Sequence, residues 1–436
     1  MIPFYNGFKK PAVRLFAFAS IITVLIPVAQ AQTSAPAQAG SNMSWLYQQI
    51  EALPDIRAAQ QQRDASLSQA NSYSQALYNP ELGASYERES DKISGQNSAQ
   101  NNYQVSISQK IDWWDQKESR EQQAGFLRIQ AEQDYRRSYQ NTLKNALQAF
   151  INWQAAKQRY ELALDQEKQL DQLITLVKNR LNSGDLGQID VELTLLSLSK
   201  TFADTAQAVA AYQSSENLVR QWLPSWQPTT PVLSPIFWNN TQQFLLTDNA
   251  ASGKTDEALL LALPDLRVAK AEWKIQQAKA ETVRRSNKAE PTIGITAGKD
   301  GSAEIIGLNL SIPLNIRNNY SAINQSALQN SYAAESQYLA KYRQLSYQLD
   351  SSRALATQYN KHQQRWKMLM QDSQSNSGEL LKRQWKTGDL STSQYLQALK
   401  QRIEGIQAGI VLDEESKLAS INWLYNSGQI NRIFNF

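Results

Sequence analysis

Along two long stretches of the chain apolar residues return every three or four positions. Leu143, Ala146, Leu147, Phe150 and Ile151 draw one stripe, and Tyr338, Tyr342, Leu345 and Leu349 draw another; this spacing predicts helices with one buried face. No proline falls between Glu118 and Arg180, so at about 1.5 Å per residue the first helix would reach roughly 90 Å. A rod of that length cannot be the core of a compact domain and needs long partners. The patterns from Val191 to Trp222 and from Tyr395 to Trp423 supply them, each following a glycine suited to the left-handed turn that ends a helix. Two antiparallel helical hairpins are predicted, with tips at Gly184-Asp185 and Gly388-Asp389.

Other segments alternate with period two. Leu82, Ala84 and Tyr86 are interleaved with Gly83, Ser85 and Glu87, and Tyr103, Val105 and Ile107 with Gln104, Ser106 and Ser108. Ile293 and Ile295, then Ile306, Leu308, Leu310 and Ile312, repeat the alternation later in the chain. These are strands with one apolar face, joined by polar loops expected from Asp91 to Asn102 and from Lys299 to Ser302. A small soluble sheet shares this pattern. The alternative is a membrane wall, but four strands cannot close one, because transmembrane barrels need at least about eight. Three copies would give about twelve strands around a polar lumen, whereas two would give a minimal barrel filled by its own side chains.

The chain repeats itself. Leu53-Pro54-Asp55-Ile56-Arg57-Ala58-Ala59 returns as Leu263-Pro264-Asp265-Leu266-Arg267-Val268-Ala269, and Leu181-Asn182-Ser183-Gly184-Asp185-Leu186 as Trp385-Lys386-Thr387-Gly388-Asp389-Leu390. Each half reads helix, two strands, long helix, tip and return helix. Lys9, Lys10 and Arg14 precede an apolar run from Leu15 to Val28 that ends in Ala29-Gln30-Ala31, the make-up of a secretory signal cleaved near Gln32. The resulting division is a signal peptide at 1–31, a first repeat at 32–223, a linker at 224–255 and a second repeat at 256–436. In the first repeat the strands fall at about 80–112 and the hairpin at about 117–222, with its tip at 183–187. In the second the strands fall at about 291–314 and the hairpin at about 318–425, with its tip at 386–391. Pro224, Pro228, Pro231 and Pro235 with Trp222, Trp226 and Trp238 mark the linker as a boundary rather than a binding motif. The fold class is therefore mainly α with a small membrane β part in two repeats. Signal and duplication together favour strands in an outer membrane over a soluble sheet.

Composition narrows the chemistry. There is no cysteine, so no disulfide, thiolate metal site or lipid-modified cysteine is available. The lone His362 lies among Lys361, Gln363, Gln364 and Arg365 on a helix and reads as a solvated surface residue. With 44 basic and 40 acidic residues the chain is too balanced for a nucleic-acid partner. Neither a phosphate loop, paired histidines nor a nucleophile motif is evident, and no catalytic residue, cofactor or metal site is expected.

The order of these landmarks resembles the TolC family of outer-membrane efflux proteins. Asn79-Pro80-Glu81-Leu82 enters the first strand, and Gly184-Asp185-Leu186-Gly187-Gln188-Ile189-Asp190-Val191 and Thr387-Gly388-Asp389-Leu390-Ser391 form the tips. The Tyr-Glu-Arg-Glu strand within Asn79 to Arg88 is similar to the heavy-metal efflux branch. The resemblance implies a homotrimer with a 12-stranded β-barrel among outer-membrane lipids and a periplasmic α-helical tunnel. It also implies a periplasmic membrane-fusion adaptor and an inner-membrane pump of the resistance-nodulation-division type, with metal ions or small toxic molecules as cargo. Tunnel closure and adaptor docking would fall at Gly184, Asp185, Leu186, Asp190, Trp385, Gly388, Asp389, Leu390, Gln394 and Gln397. Asp190 matches an aspartate that helps hold the family's tunnel shut. Where the prototype has an arginine and then carboxylates, this chain has Leu390, Gln394 and Gln397. Closure is then expected to rest more on amide hydrogen bonds and Trp385, with weaker cation selectivity. Asp185 and Asp389 would line the entrance or, as the commoner role, cap a helix. A protein-secretion outlet of the same fold and a soluble periplasmic coiled-coil scaffold or adaptor are the alternatives.

Overall fold

The two Leu-Pro-Asp motifs each start a helix in the same way. Leu53 and Leu263 are extended, at φ −64°, ψ 138° and φ −61°, ψ 131°, as the residue before a proline must be, and the proline takes the first helical position, where its missing N–H costs nothing. The computed structural model describes residues 38–91, 98–184, 187–229, 238, 241, 254–370 and 373–431. The signal segment, Pro231, Pro235, Asp185 and Leu186 lie outside them.

The first repeat consists of α1 (Gln38–Glu51), α2 (Pro54–Tyr73), β1 (Glu81–Asp91), β2 (Ser98–Lys110), α3 (Gln116–Asn182) and α4 (Gln188–Trp222). The second has α5 (Lys254–Ala262), α6 (Pro264–Ser286), β3 (Thr292–Asp300), β4 (Ala303–Ser311), α7 (Ser321–Met370), α8 (Ser373–Thr387) and α9 (Thr392–Asn426). The protein is thus mainly helical with one small antiparallel sheet. At 67 residues, α3 is about 100 Å long. Beside the sheet the helices lie in the order α2, α3, α6, α7; toward the tips α3 is flanked instead by α4 and α9, and α9 packs on α7 and α8. Each short helix is therefore continued by a return helix along the same rod. Among the described residues no helix is long and apolar enough to cross a membrane, a finding that leaves strands untouched.

The four strands form one sheet in the order β1-β2-β3-β4, antiparallel throughout, so the strand pairs of the two repeats join through β2 and β3. β2 begins at Ser98, earlier than the apolar alternation indicates, because Asn101 and Asn102 still pair by backbone with Arg88 and Glu87. Hydrogen bonding continues the ladder where side-chain alternation stops.

Among the described residues three apolar clusters hold the helices. The largest lies at mid-length, where Leu143, Leu147, Phe150, Ile151 and Trp153 of α3 meet α1, the end of α4 and the end of α9. Trp226, past the end of α4, is buried in it, edge-on to Trp153 at 4.7 Å and to Phe150 at 6.4 Å. The linker therefore begins as part of the core. A second cluster at the tips joins Leu170, Leu173 and Val177 of α3 to Val191, Leu198, Trp385, Tyr395 and Leu399. The third, around Leu263, Leu266, Leu345 and Leu349, fastens α6 to α7. Because indole burial is large and the surrounding rings cannot collapse into the space, Trp226→Ala is expected to lower unfolding stability by about 3–5 kcal/mol, read by denaturant titration of the full-length protein.

Candidate functional site

The sheet is built the wrong way round for water. Rows across it bring Leu82, Ile107, Ile295 and Leu308 together, then Ala84, Val105, Ala297 and Ile306. This apolar face is uncovered: Leu82 is 78% exposed, and Ile306 and Leu308 are each 84% exposed. The opposite face carries Gly83, Ser106, Thr296 and Gly307 in one row and Glu81, Ser108, Gly294 and Asn309 in another. Here Thr296 is buried, and a side chain at Gly298 would run into the carbonyl oxygen of Tyr103. Small polar residues are crowded on one face while large apolar ones stand free on the other, the reverse of a soluble sheet packed on a core. Tyr86 and Tyr103, with ring centres 5.1 Å apart, end the apolar rows on one side. Trp113 and Trp114 stand exposed beyond the other end of β2, an arrangement that suits the two interfaces of a bilayer.

Sheet and helices are joined by a polar knot. The carboxylate of Glu290, which is 2% exposed, accepts hydrogen bonds from the Tyr78 hydroxyl and the Gln116 amide, and Lys110 Nζ lies 2.9 Å from it. These four groups come from the entry to β1, the end of β2, the start of α3 and the entry to β3. Nearby, Asp112 receives the backbone N–H groups of Gln116 and Lys117 at 2.8 Å each. Trp114 Nε1 donates to the carbonyl of Ala289 at 2.8 Å, and Arg285 reaches Glu118 at 3.0 Å. Arg284 and Arg285 also hold the Glu281 carboxyl down to about 2. A buried carboxylate with several donors and a cation is stable only while each partner stays in place. The knot therefore fixes the sheet's angle on the helical rod. Little in the sequence singled out Glu290, a lone acid before Pro291 whose partners are distant in the chain.

At the other end, Gly184 has φ +82° and Gly388 φ +86°, and a Cβ at either would meet nothing within 4 Å. The glycines serve backbone geometry, not space. Trp385 is 2% exposed. It stacks on Tyr395 at 5.5 Å, its Nε1 donates to Thr392 Oγ1 at 3.3 Å, and the Arg180 guanidinium lies over it at 4.8 Å while donating to the Lys386 carbonyl at 2.9 Å. Arg180 thus ties the first tip to the second, and Trp385 lies in the tip core rather than on the entrance surface. Leu390 is half-buried against that core. The cap of α9 is Ser391, not Asp389: Ser391 Oγ accepts from Gln394 N–H at 3.2 Å, and Gln394 Oε1 accepts from Ser391 N–H at 3.0 Å. The signal was legible as Ser-x-x-Gln. Asp389 instead accepts from the Thr387 hydroxyl at 2.6 Å. Gln397 is exposed, as is His362, and Asp190 is half-buried with its carbonyl accepting from Thr194 at 2.7 Å. Asp185 and Leu186 fall outside the described residues.

A family model described as outer membrane efflux protein matches residues 45–223. No curated protein matches the chain significantly. Among solved structures it is similar to CusC, in a study of folding and transmembrane channel formation, at 15% identity and TM-score 0.71, covering 88% of this chain and 91% of that one. The CmeC outer membrane channel of Campylobacter jejuni gives 13% identity and TM-score 0.68, covering 89% of this chain and 86% of that one. The open-state MtrE outer membrane channel of Neisseria gonorrhoeae gives 15% identity and TM-score 0.69, covering 89% of each chain. At these identities the structural likeness concerns the fold.

Because both tip glycines occupy the left-handed region, Gly184→Val and Gly388→Val should each cost about 1–2 kcal/mol locally. Backbone amides around the substituted turn should exchange faster in either variant while whole-protein melting shifts little, as read by hydrogen exchange and by thermal unfolding.

Proposed function

We infer that this chain, a TolC-like member of the outer membrane efflux protein family, works as one third of a passive duct through the outer membrane. The observation that carries this reading is the uncovered apolar face of a sheet with two open edges. β1 and β4 each present one unpaired side, and lipid offers no hydrogen bonds to backbone. Joining β4 of one copy to β1 of the next satisfies both edges, and three copies give about twelve strands with the small polar residues lining the bore. The apolar rows then face hydrocarbon, and the helices extend the bore into the periplasm.

The duct has no chemistry of its own to perform. Cargo is handed to it by an inner-membrane pump of the resistance-nodulation-division type through a periplasmic adaptor that docks at the hairpin tips. Metal ions or small toxic molecules are the cargo this reading favours. Closure of the resting tunnel involves Asp190 and the exposed groups around Gly184, Asp389 and Gln397, with Trp385 and Leu390 as the packed support beneath them. A soluble scaffold is disfavoured because so large an apolar face would drive aggregation in water.

Two substitutions on neighbouring residues separate the faces. Leu308→Arg places a charge against hydrocarbon at a cost of roughly 2–4 kcal/mol and should remove the protein from the outer-membrane fraction. Gly307→Ser, on the other face with open space around it, should leave membrane insertion and the detergent-extracted trimer intact. A protein that remains monomeric in lipid, or that partitions equally with Leu308→Arg, would overturn the reading. Growth of a deletion strain in metal salts and in dyes, with assay of secreted protein, assigns the cargo; loss of secretion alone would favour the protein-secretion outlet.

A further inference from the structure

A groove of about 740 Å³ runs between α3 and α6, with Leu261 of α5 and Tyr338 of α7 at its margins. Its apolar floor is made by Phe126, Ile129, Leu261, Leu266 and Tyr338. Tyr338 is held there by stacking on Trp273 at 5.6 Å. Ile129 and Leu261 remain 48% and 43% exposed, so the floor is open to a ligand. Around it stand Arg128, Arg136, Arg267, Lys270 and Lys274, with Glu132 as the one acidic lining residue.

Several cations on these helices are matched by acids, among them Arg137 by Asp134 and Arg285 by Glu281, but those of the groove are not. Among the described residues none of the five forms an ion pair. Arg128 reaches Asn71 and Ser74 of α2, Arg267 donates to the Leu261 carbonyl at 3.2 Å, and Lys274 donates to Gln277 at 2.9 Å. The acids on the same helices face other partners: Asp134 holds Arg137, Asp265 holds Lys341, and Glu272 accepts from Gln130 and Gln276. Four uncompensated positive charges, the excess of five cations over one acid, repel one another until an anion enters. A bare anion would leave the apolar floor in water, and an uncharged hydrocarbon would leave the charges unmatched.

We propose that this groove is a binding site for a single-chain anionic amphiphile, whose carboxylate or phosphate head meets Arg136, Arg267, Lys270 and Lys274 while its alkyl chain lies along Phe126, Ile129, Leu261 and Leu266. The volume falls within the range of ligand pockets. The helix order α2, α3, α6, α7 makes the groove internal to one chain, away from the free flanks of α2 and α7 where copies would meet. It lies roughly 15–30 Å along α3 from Gln116, within reach of amphiphiles leaving the membrane. A fatty acid and a lysophospholipid share the required chemistry.

The test uses the full-length protein in phosphatidylcholine nanodiscs, labelled with a diazirine-bearing lauric acid and mapped by peptide mass spectrometry. Saturable labelling of peptides containing Phe126 to Arg136 or Leu261 to Lys274 is expected, displaced by unlabelled lauric acid or lysophosphatidic acid. Which of the two displaces at lower concentration names the source. Arg267→Gln with Lys270→Gln, and separately Arg136→Gln with Lys274→Gln, should weaken displacement roughly tenfold without altering the melting temperature. Labelling that is absent from these peptides, equally displaced by dodecanol, or displaced by inorganic phosphate alone would overturn the proposal. Because labelling is read on the protein and not on export, its failure leaves the duct reading untouched, and a failed duct leaves the groove testable.

Discussion

A peptide group facing hydrocarbon has no water to turn to, so every N–H and C=O at the rim of a membrane sheet must find another strand. On the proposed reading that requirement would fall here on two ladders, the outer sides of β1 and β4. The ladders within the sheet are complete, and the register between repeats keeps apolar residues on one face across all four strands. What remains unsatisfied is at the edges, and only identical neighbours can satisfy it symmetrically. On the proposed duct reading, the length of the helices and the position of the polar knot would present those edges in the same way in each copy.

The helical part obeys a different rule. A rod of about 100 Å cannot be stabilised by a single core, and the structure places separate clusters at mid-length, at the tips and between α6 and α7. Nearer the sheet α3 buries Ala124 and Ala131, and at mid-length it buries Phe150 and Trp153 together with Ala146, Ala149, Ala155 and Ala156.

Much of this was readable from residue order. The stripes on α3 and α7 and the alternation in the strands are direct consequences of side-chain geometry, and they appear wherever one face is treated differently from the other. The tip glycines were readable for the same reason, since few other residues tolerate their φ. Contacts between distant segments were not. Trp226 looked like part of a proline-rich boundary, yet it lies buried in the mid-length core, edge-on to Phe150 and Trp153. Trp385 was legible as part of the second tip, but not the enclosure of its ring by Tyr395, Thr392 and Arg180. The union of the two strand pairs into one sheet, and the convergence of Tyr78, Lys110, Gln116 and Glu290, depend on tertiary placement that no local pattern encodes.

The return helices of the two hairpins start differently although the residues at the tips repeat. α9 starts with reciprocal hydrogen bonds between Ser391 and Gln394, whereas α4 starts at Gly187 with no side-chain cap. A cap of this kind is worth about 1 kcal/mol, so fraying at the first turn of α4 costs less than at α9. In a ring of repeated hairpins the ends would alternate between stiff and yielding, and a load applied evenly around the rim would be taken up at every second position.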